Sequence, residues 1–220
     1  MMKKIIGIIF IFSFTVQVWG QKKAEIGFFG GASYYLGDIN PTKQFYDASP
    51  SFGGLFRYAI NQRYALRADL FYGSLKGNDL DSSSPFQQQR ARHFNTNVLE
   101  TALLFEFNFL EFQPREHATI FSPYISAGLG YTFMINSSTT APNHVTFPFS
   151  LGVKASFSRR VTLGFEWGPR KTFIDKVDGL VNPGGDQYKS AFHNNDWYYF
   201  TGFSISYKLF DDIGNCPVYQ

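Results

Sequence analysis

The sequence predicts an all-β fold: an eight-stranded antiparallel up-and-down β-barrel that crosses a membrane. Three observations predict it. Apolar and polar residues alternate with period two through eight successive segments of the 220-residue chain. The connections between those segments are short and long by turns. The chain is 19% aromatic, yet its mean hydropathy is only −0.17 and only 17% of it is charged. Soluble domains carry roughly 25% charged residues. So much aromatic surface excludes a disordered chain, and a single Cys excludes a disulfide scaffold. A net charge of +3 is too small for a nucleic-acid partner.

Residues 1–20 read as a secretory leader. Lys3 and Lys4 form its basic start, 5–14 its apolar core, and Val18-Trp19-Gly20 supplies small residues at the cleavage positions. The apolar run is shorter than the ~20 residues of a spanning helix. The barrel is expected over 21–210 and a tail over 211–220.

The clearest strand is 99–109. Leu99, Thr101, Leu103, Phe105, Phe107 and Phe109 share one face; Glu100, Ala102, Leu104, Glu106 and Asn108 share the other. Side chains alternate across a strand, whereas a helix would not place an apolar group at every second residue. In chain order, the first segment sets Ile26, Phe28, Ala32, Tyr34 and Leu36 against Glu25, Gly27, Phe29, Gly31 and Ser33. The second sets Phe52, Phe56, Tyr58 and Ile60 against Gly53, Leu55, Arg57 and Ala59. The third opposes Leu66, Ala68, Leu70 and Tyr72 to Arg67, Asp69, Phe71 and Gly73. After the fourth, 99–109, the fifth opposes Phe121, Ile125, Leu129, Tyr131 and Phe133 to Ser122, Tyr124, Ser126, Gly128 and Gly130. The sixth opposes Phe147, Phe149, Leu151 and Val153 to Ser150, Gly152, Lys154 and Ser156. The seventh opposes Leu163, Phe165 and Trp167 to Thr162, Gly164, Glu166 and Arg170. The eighth opposes Trp197, Tyr199, Phe203, Ile205, Tyr207 and Leu209 to Gly202, Ser204, Ser206 and Lys208.

Tight turns at 61–63 and 158–160 and a short link at 111–119 alternate with long polar loops at 37–50, 77–93, 136–144 and 174–195. Short turns on one side and long loops on the other are the outer-membrane barrel pattern, which places both termini in the periplasm. A secreted β-sandwich also alternates. It would usually expose Lys and Thr, whereas here one face is almost purely apolar and the other small. Tyr34, Tyr72, Tyr131, Phe133 and Trp197 near one end, and Phe109, Phe157 and Tyr207 near the other, are expected as interface girdles against outer-membrane lipid.

The inward face carries Glu25, Asp69, Glu100, Glu106 and Glu166 against Arg57, Arg67, Lys154, Arg170 and Lys208. Charges in a narrow lumen are costly unless paired, so a salt-bridged plug is expected rather than an ion path. His93, His117, His144 and His193 show no metal-ligand spacing with each other or with Cys216. His93, His193, Asp178 and Asp186 could approach the outer rim, as in lipid-modifying barrels, but their spacing does not favour it. Asp79-Leu80-Asp81 and the 183–186 turn lack a Ca²⁺ pattern. No catalytic residue, cofactor, metal or small-molecule substrate is expected.

The tail ends Cys216-Pro217-Val218-Tyr219-Gln220. An odd Cys in an exported chain suggests an intermolecular pair, a free thiol, or an incidental one. Taken together, five stretches carry a family pattern. They are 25–41 with Gly27-Phe28-Phe29-Gly30-Gly31; 100–109, followed by Phe121-Ser122-Pro123-Tyr124; 163–173 with Glu166-Trp167-Gly168-Pro169-Arg170; 194–202 with Asn194-Asn195-Asp196-Trp197; and Cys216-Pro217-Val218-Tyr219. At these residues the chain resembles the PorG-like outer-membrane β-barrel proteins of the Bacteroidetes. The resemblance implies a non-enzymatic component of the type IX secretion machinery and, in gliding species, of motility. It also implies contact with the periplasmic ring formed by a lipoprotein and its partner, through Cys216, Pro217 and Tyr219, with a disulfide from Cys216. A generic structural barrel and, more distantly, a lipid-modifying enzyme are the competing readings.

Overall fold

In the computed structural model, residues 24–37, 43–81, 85–91, 93–112, 121–135, 142–173 and 196–210 are described. The strands are β1 (Ala24–Leu36), β2 (Ser49–Ala59), β3 (Tyr64–Asn78), β4 (His93–Asn108), β5 (Phe121–Ile135), β6 (His144–Ser156), β7 (Val161–Thr172) and β8 (Trp197–Lys208). A 3-10 turn (Asp79–Asp81) and a short helix α1 (Pro85–Arg90) lie between β3 and β4. Each strand pairs antiparallel with the next, and β8 closes on β1, giving a closed eight-stranded barrel. Glu25 faces both Arg57 and Lys208 in register, so the first and last described strand ends lie at the same end as the turn after β2.

The alternation becomes the two faces of the wall. Phe28, Phe52, Leu70, Leu103, Phe105, Leu129, Phe203 and Ile205 point outward and are exposed; Leu129 is 66% and Phe203 70% exposed. Their sequence neighbours Phe29, Ser51, Asp69, Ala102, Leu104, Glu106 and Ser206 are buried inside. An exposed apolar surface running around the whole wall is far larger than the patches a water-soluble monomer carries.

The two tight turns form where predicted, and local chemistry explains them. Asn61 Oδ1 accepts from the backbone N–H groups of Arg63 and Tyr64 at 2.8 Å each. Ser158 Oγ accepts from Arg160 and Val161 at 3.3 and 3.1 Å. Asn and Ser side chains thereby mimic a backbone turn.

Three differences from the sequence expectation stand out. First, β3 runs to Asn78 and β4 begins at His93, so both strands extend beyond the alternation read over 66–73 and 99–109, up to the edges of the expected 77–93 loop. The polar outward residues Ser74, Lys76, Asn95 and Asn97 hid the period; Ser74 Oγ donates to Asn97 Oδ1 at 2.6 Å. Second, Tyr34 is not a free girdle residue: it is fully buried on the outer wall, under Tyr199, stacked at 4.8 Å, and Phe45, also at 4.8 Å. Third, Phe109 and Phe157 lie just beyond their strands, although both remain exposed at the short-turn end. The leader, the 211–220 tail, His117, His193, Asp178 and Asp186 lie outside the described residues.

Candidate functional site, a filled lumen

The inward residues of the eight strands meet on the barrel axis in two layers. At the short-turn end lies an ionic layer. Arg57 donates from Nη1 to Glu25 Oε2 at 3.0 Å and from Nε to Glu106 Oε2 at 3.1 Å. Lys154 Nζ donates to Glu106 Oε1 at 2.5 Å. Arg67 reaches Asp69 Oδ2 at 2.7 Å, both oxygens of Glu166 at 2.5 and 3.0 Å, and Glu106 at 3.7 Å. Tyr124 donates to Glu166 Oε2 at 2.8 Å, and Ser206 to Glu25 at 3.2 Å. Lys208 stands half-buried beside Glu25 at the rim.

This geometry assigns work to each charge. Glu106 sits among three cations, and Arg67 among three carboxylates. Both are essentially inaccessible to water. Dehydrating such ions costs several kcal/mol each, and only dense mutual pairing offsets it. The planar guanidinium of Arg67 takes Glu166 with two nitrogens, the fork geometry that makes Arg suited to buried carboxylates. Lys154 is also packed against aromatic rings, with Nζ 4.7 Å from the Phe112 centroid and 5.5 Å from that of Tyr124. Phe112 belongs to the segment after β4, whose backbone N–H donates to Gln62 O at 2.9 Å.

Toward the long-loop end the lumen turns aromatic. Phe29, Tyr35, Phe71, Leu75, Phe94, Val98, Tyr198 and Phe200 form one buried cluster. Phe29 stacks on Phe71 at 4.5 Å, and Phe71 meets Phe200 edge-on at 5.5 Å. Glycines opposite these rings give them room: a Cβ on Gly53 would lie 2.4 Å from the Phe71 ring, and one on Gly73 would lie 2.8 Å from Phe200. Embedded in the cluster is a second polar group. Arg170 Nε donates to Glu100 Oε1 at 3.1 Å, and its guanidinium lies 5.0 Å from the Phe200 ring centre. Tyr198 donates to Glu100 Oε2 at 2.5 Å, and its hydroxyl also meets Thr132 Oγ1 at 2.6 Å. Tyr35 hydrogen-bonds Asp196, whose backbone carbonyl accepts from Thr172 Oγ1 at 2.8 Å.

All ten charges singled out from the sequence lie on the inward face, nine of them buried and Lys208 at the rim. Sequence reasoning put Phe29 and Phe71 on the inward face but missed the rest of the aromatic layer. Tyr198 and Phe200 lie in an aromatic run, 197–200, that shows no period. Leu75, Phe94 and Val98 lie in strand extensions beyond the alternating segments read from the sequence. The hydroxyls of Tyr124 and Tyr198, which donate to Glu166 and Glu100, and that of Thr132, which meets Tyr198, could be found only from cross-strand geometry.

The His residues do not converge. His93 is exposed at the start of β4, while His144 is buried at the start of β6, with Nδ1 3.0 Å from Pro142 O. Among the described residues no group of three or more His, Cys, Asp or Glu is arranged to hold a metal. Cys216, Pro217 and Tyr219 lie outside the described residues. Chemically, the arrangement seals the lumen twice, once with ion pairs and once with aromatic rings.

A family model described as "Domain of unknown function (DUF6089)" matches residues 3–219. No curated protein matches the chain. Among solved structures, Neisserial surface protein A is similar at 11% identity and a TM-score of 0.51, covering 84% of this chain and 96% of its own; it shares the fold. The N-terminal β-barrel domain of Pseudomonas aeruginosa OprF is 17% identical, covering 86% and 98%, with a TM-score of 0.45. Outer membrane protein OprG of the same organism is 14% identical, covering 86% and 98%, at 0.46.

Proposed function

We propose, from the premise that the chain belongs to the DUF6089 family, that it is a non-enzymatic integral barrel of the outer membrane that holds partners rather than conducting solutes. One observation carries this reading: an outward wall of exposed Phe, Leu and Ile surrounds a lumen sealed by buried ion pairs and aromatic rings. The exterior suits hydrocarbon, since a closed barrel leaves no strand edge unpaired in lipid. The interior leaves no water path, because an eight-stranded barrel is just wide enough for its side chains to fill. In planar bilayers the purified protein is expected to give no stable large conductance. Steady porin-like steps would overturn the reading.

Within that reading, the barrel serves the type IX secretion machinery, and gliding motility where present. The long loops face outward and both termini lie in the periplasm. The tail after β8 meets the periplasmic ring lipoprotein and its partner through Cys216, Pro217 and Tyr219. Support comes from the five PorG-like stretches of the sequence and from the single Cys, at position 216, after the last strand. Pull-down of the tagged barrel with and without 211–220 tests the contact. Recovery of ring subunits should require the tail; equal recovery without it sinks the ring contact. Non-reducing gels of cells carrying Cys216→Ser should lose a high-mass band, and a band that persists unchanged dismisses the disulfide.

A further inference from the structure

The outer wall at the long-loop end carries a cluster that the lumen does not explain. Trp167, Tyr199 and Tyr34 lie side by side on the outward face of β7, β8 and β1. Trp167 Nε1 donates to Tyr34 Oη at 2.9 Å, and Tyr34 donates to Gln44 Oε1 at 3.0 Å. Tyr34 and Tyr199 stack almost parallel, at an interplanar angle of 2°. Onto this wall the turn after β1 folds down from outside. Phe45 packs on Tyr34 at 4.8 Å while remaining 55% exposed, and its φ of 59° lies in the left-handed region. A bulky residue held there costs of order 1–3 kcal/mol and persists only where its surroundings fix it. The turn thus spends conformational strain to press an aromatic ring against the outside of the barrel.

Two ammonium groups border the same cluster. Lys171 projects from the outward face of β7 with Nζ 5.4 Å from the Trp197 ring centre. Lys43, next to Gln44, lies with Nζ 5.9 Å from the Tyr46 ring centre. Asp47 is the described carboxylate of that turn. Below the aromatic cluster the wall is hydrocarbon-like, with Phe165, Phe203, Leu163 and Ile205 all exposed. Apolar wall, then amphipathic rings, then ammonium groups, is the order in which a phosphorylated lipid presents its acyl chains, its glycerol or sugar, and its phosphate.

We propose that this face of β7, β8 and β1 binds a phosphorylated glycolipid of the outer leaflet. Lys43 and Lys171 take its phosphates, and Phe45, Tyr199 and Trp167, held in place by the buried Tyr34, pack on its sugar and upper acyl chains. The inference rests on the membrane-barrel reading above. Trp167 and Trp197 are the tryptophans of 21–220, and both border this site, so intrinsic fluorescence reports on it directly.

The folded mature chain in detergent is titrated with diphosphoryl lipid A, with its dephosphorylated form, and with phosphatidylglycerol. Diphosphoryl lipid A is expected to shift tryptophan emission at the lowest concentration. The variant Lys43→Gln/Lys171→Gln is expected to raise its dissociation constant ~30-fold, given the usual contribution of a lysine near an anionic lipid surface. Equal binding of the phosphate-free form overturns the proposal. So does equally tight binding of phosphatidylglycerol, or a double variant that binds like the parent. Heat-modifiable migration on gels verifies that the variant is folded. Quenching by brominated acyl chains in vesicles is read separately: its absence refutes the membrane reading itself, whereas quenching without phosphate preference refutes only the glycolipid site.

Discussion

Glu106→Gln is expected to destabilise the folded barrel by about 3–5 kcal/mol, the usual cost of removing one partner from a buried ion pair. Its carboxylate takes Lys154 at 2.5 Å and Arg57 at 3.1 Å, with Arg67 at 3.7 Å, and none of these groups reaches water. The amide keeps the shape but supplies no charge to three cations, and its NH₂ points one more donor at them. Urea unfolding in detergent micelles, followed by tryptophan fluorescence, measures the loss. Adding Lys154→Met should recover part of it, because one of the stranded charges is then gone. The coupling in that double-mutant cycle separates the pair from mere disturbance of packing. A Glu106→Gln variant within 1 kcal/mol of the parent would mean that the ionic layer does not hold the lumen together.

Phe200→Ala should cost a similar amount, about 3–5 kcal/mol, for a different reason. Its ring is fully buried and touches Phe71 edge-on at 5.5 Å, Tyr198 at 5.9 Å and the Arg170 guanidinium at 5.0 Å. Truncation removes the transfer free energy of the ring and leaves a cavity that a closed wall cannot collapse to fill. The ionic layer below stays intact, so the variant should still conduct no ions in planar bilayers. A loss below 1 kcal/mol by urea unfolding would show that the aromatic layer is loosely packed. A conducting variant would show that it is the sole seal.

The two changes probe two layers that were unequally visible in the sequence. A charge at an inward position of an otherwise apolar segment stands out, and Glu106 and Arg67 were legible for that reason. An aromatic residue at an inward position among aromatic outward neighbours does not. In Trp197-Tyr198-Tyr199-Phe200 both faces are greasy, and period two vanishes. The same ambiguity operated in reverse in the upper parts of β3 and β4. There the outward Ser74, Lys76, Asn95 and Asn97 look like loop, although Leu75, Phe94 and Val98 behind them are core. Tyr34 shows a third limit: a residue with the right parity for the girdle is buried because a turn folds back over it.

By itself the sequence determined the number of strands, their faces, the parity of their connections and the charge complement of the lumen. All of these follow from local rules: side-chain alternation, turn chemistry and the cost of unpaired charge. Only the tertiary structure decided which carboxylate meets which cation, since Arg67 and Glu166 are separated by 99 positions and brought together by barrel closure. It also decided that the upper lumen is aromatic and that the first loop packs on the outer wall. These depend on shear, strand length and cross-barrel distance, quantities that no single segment encodes.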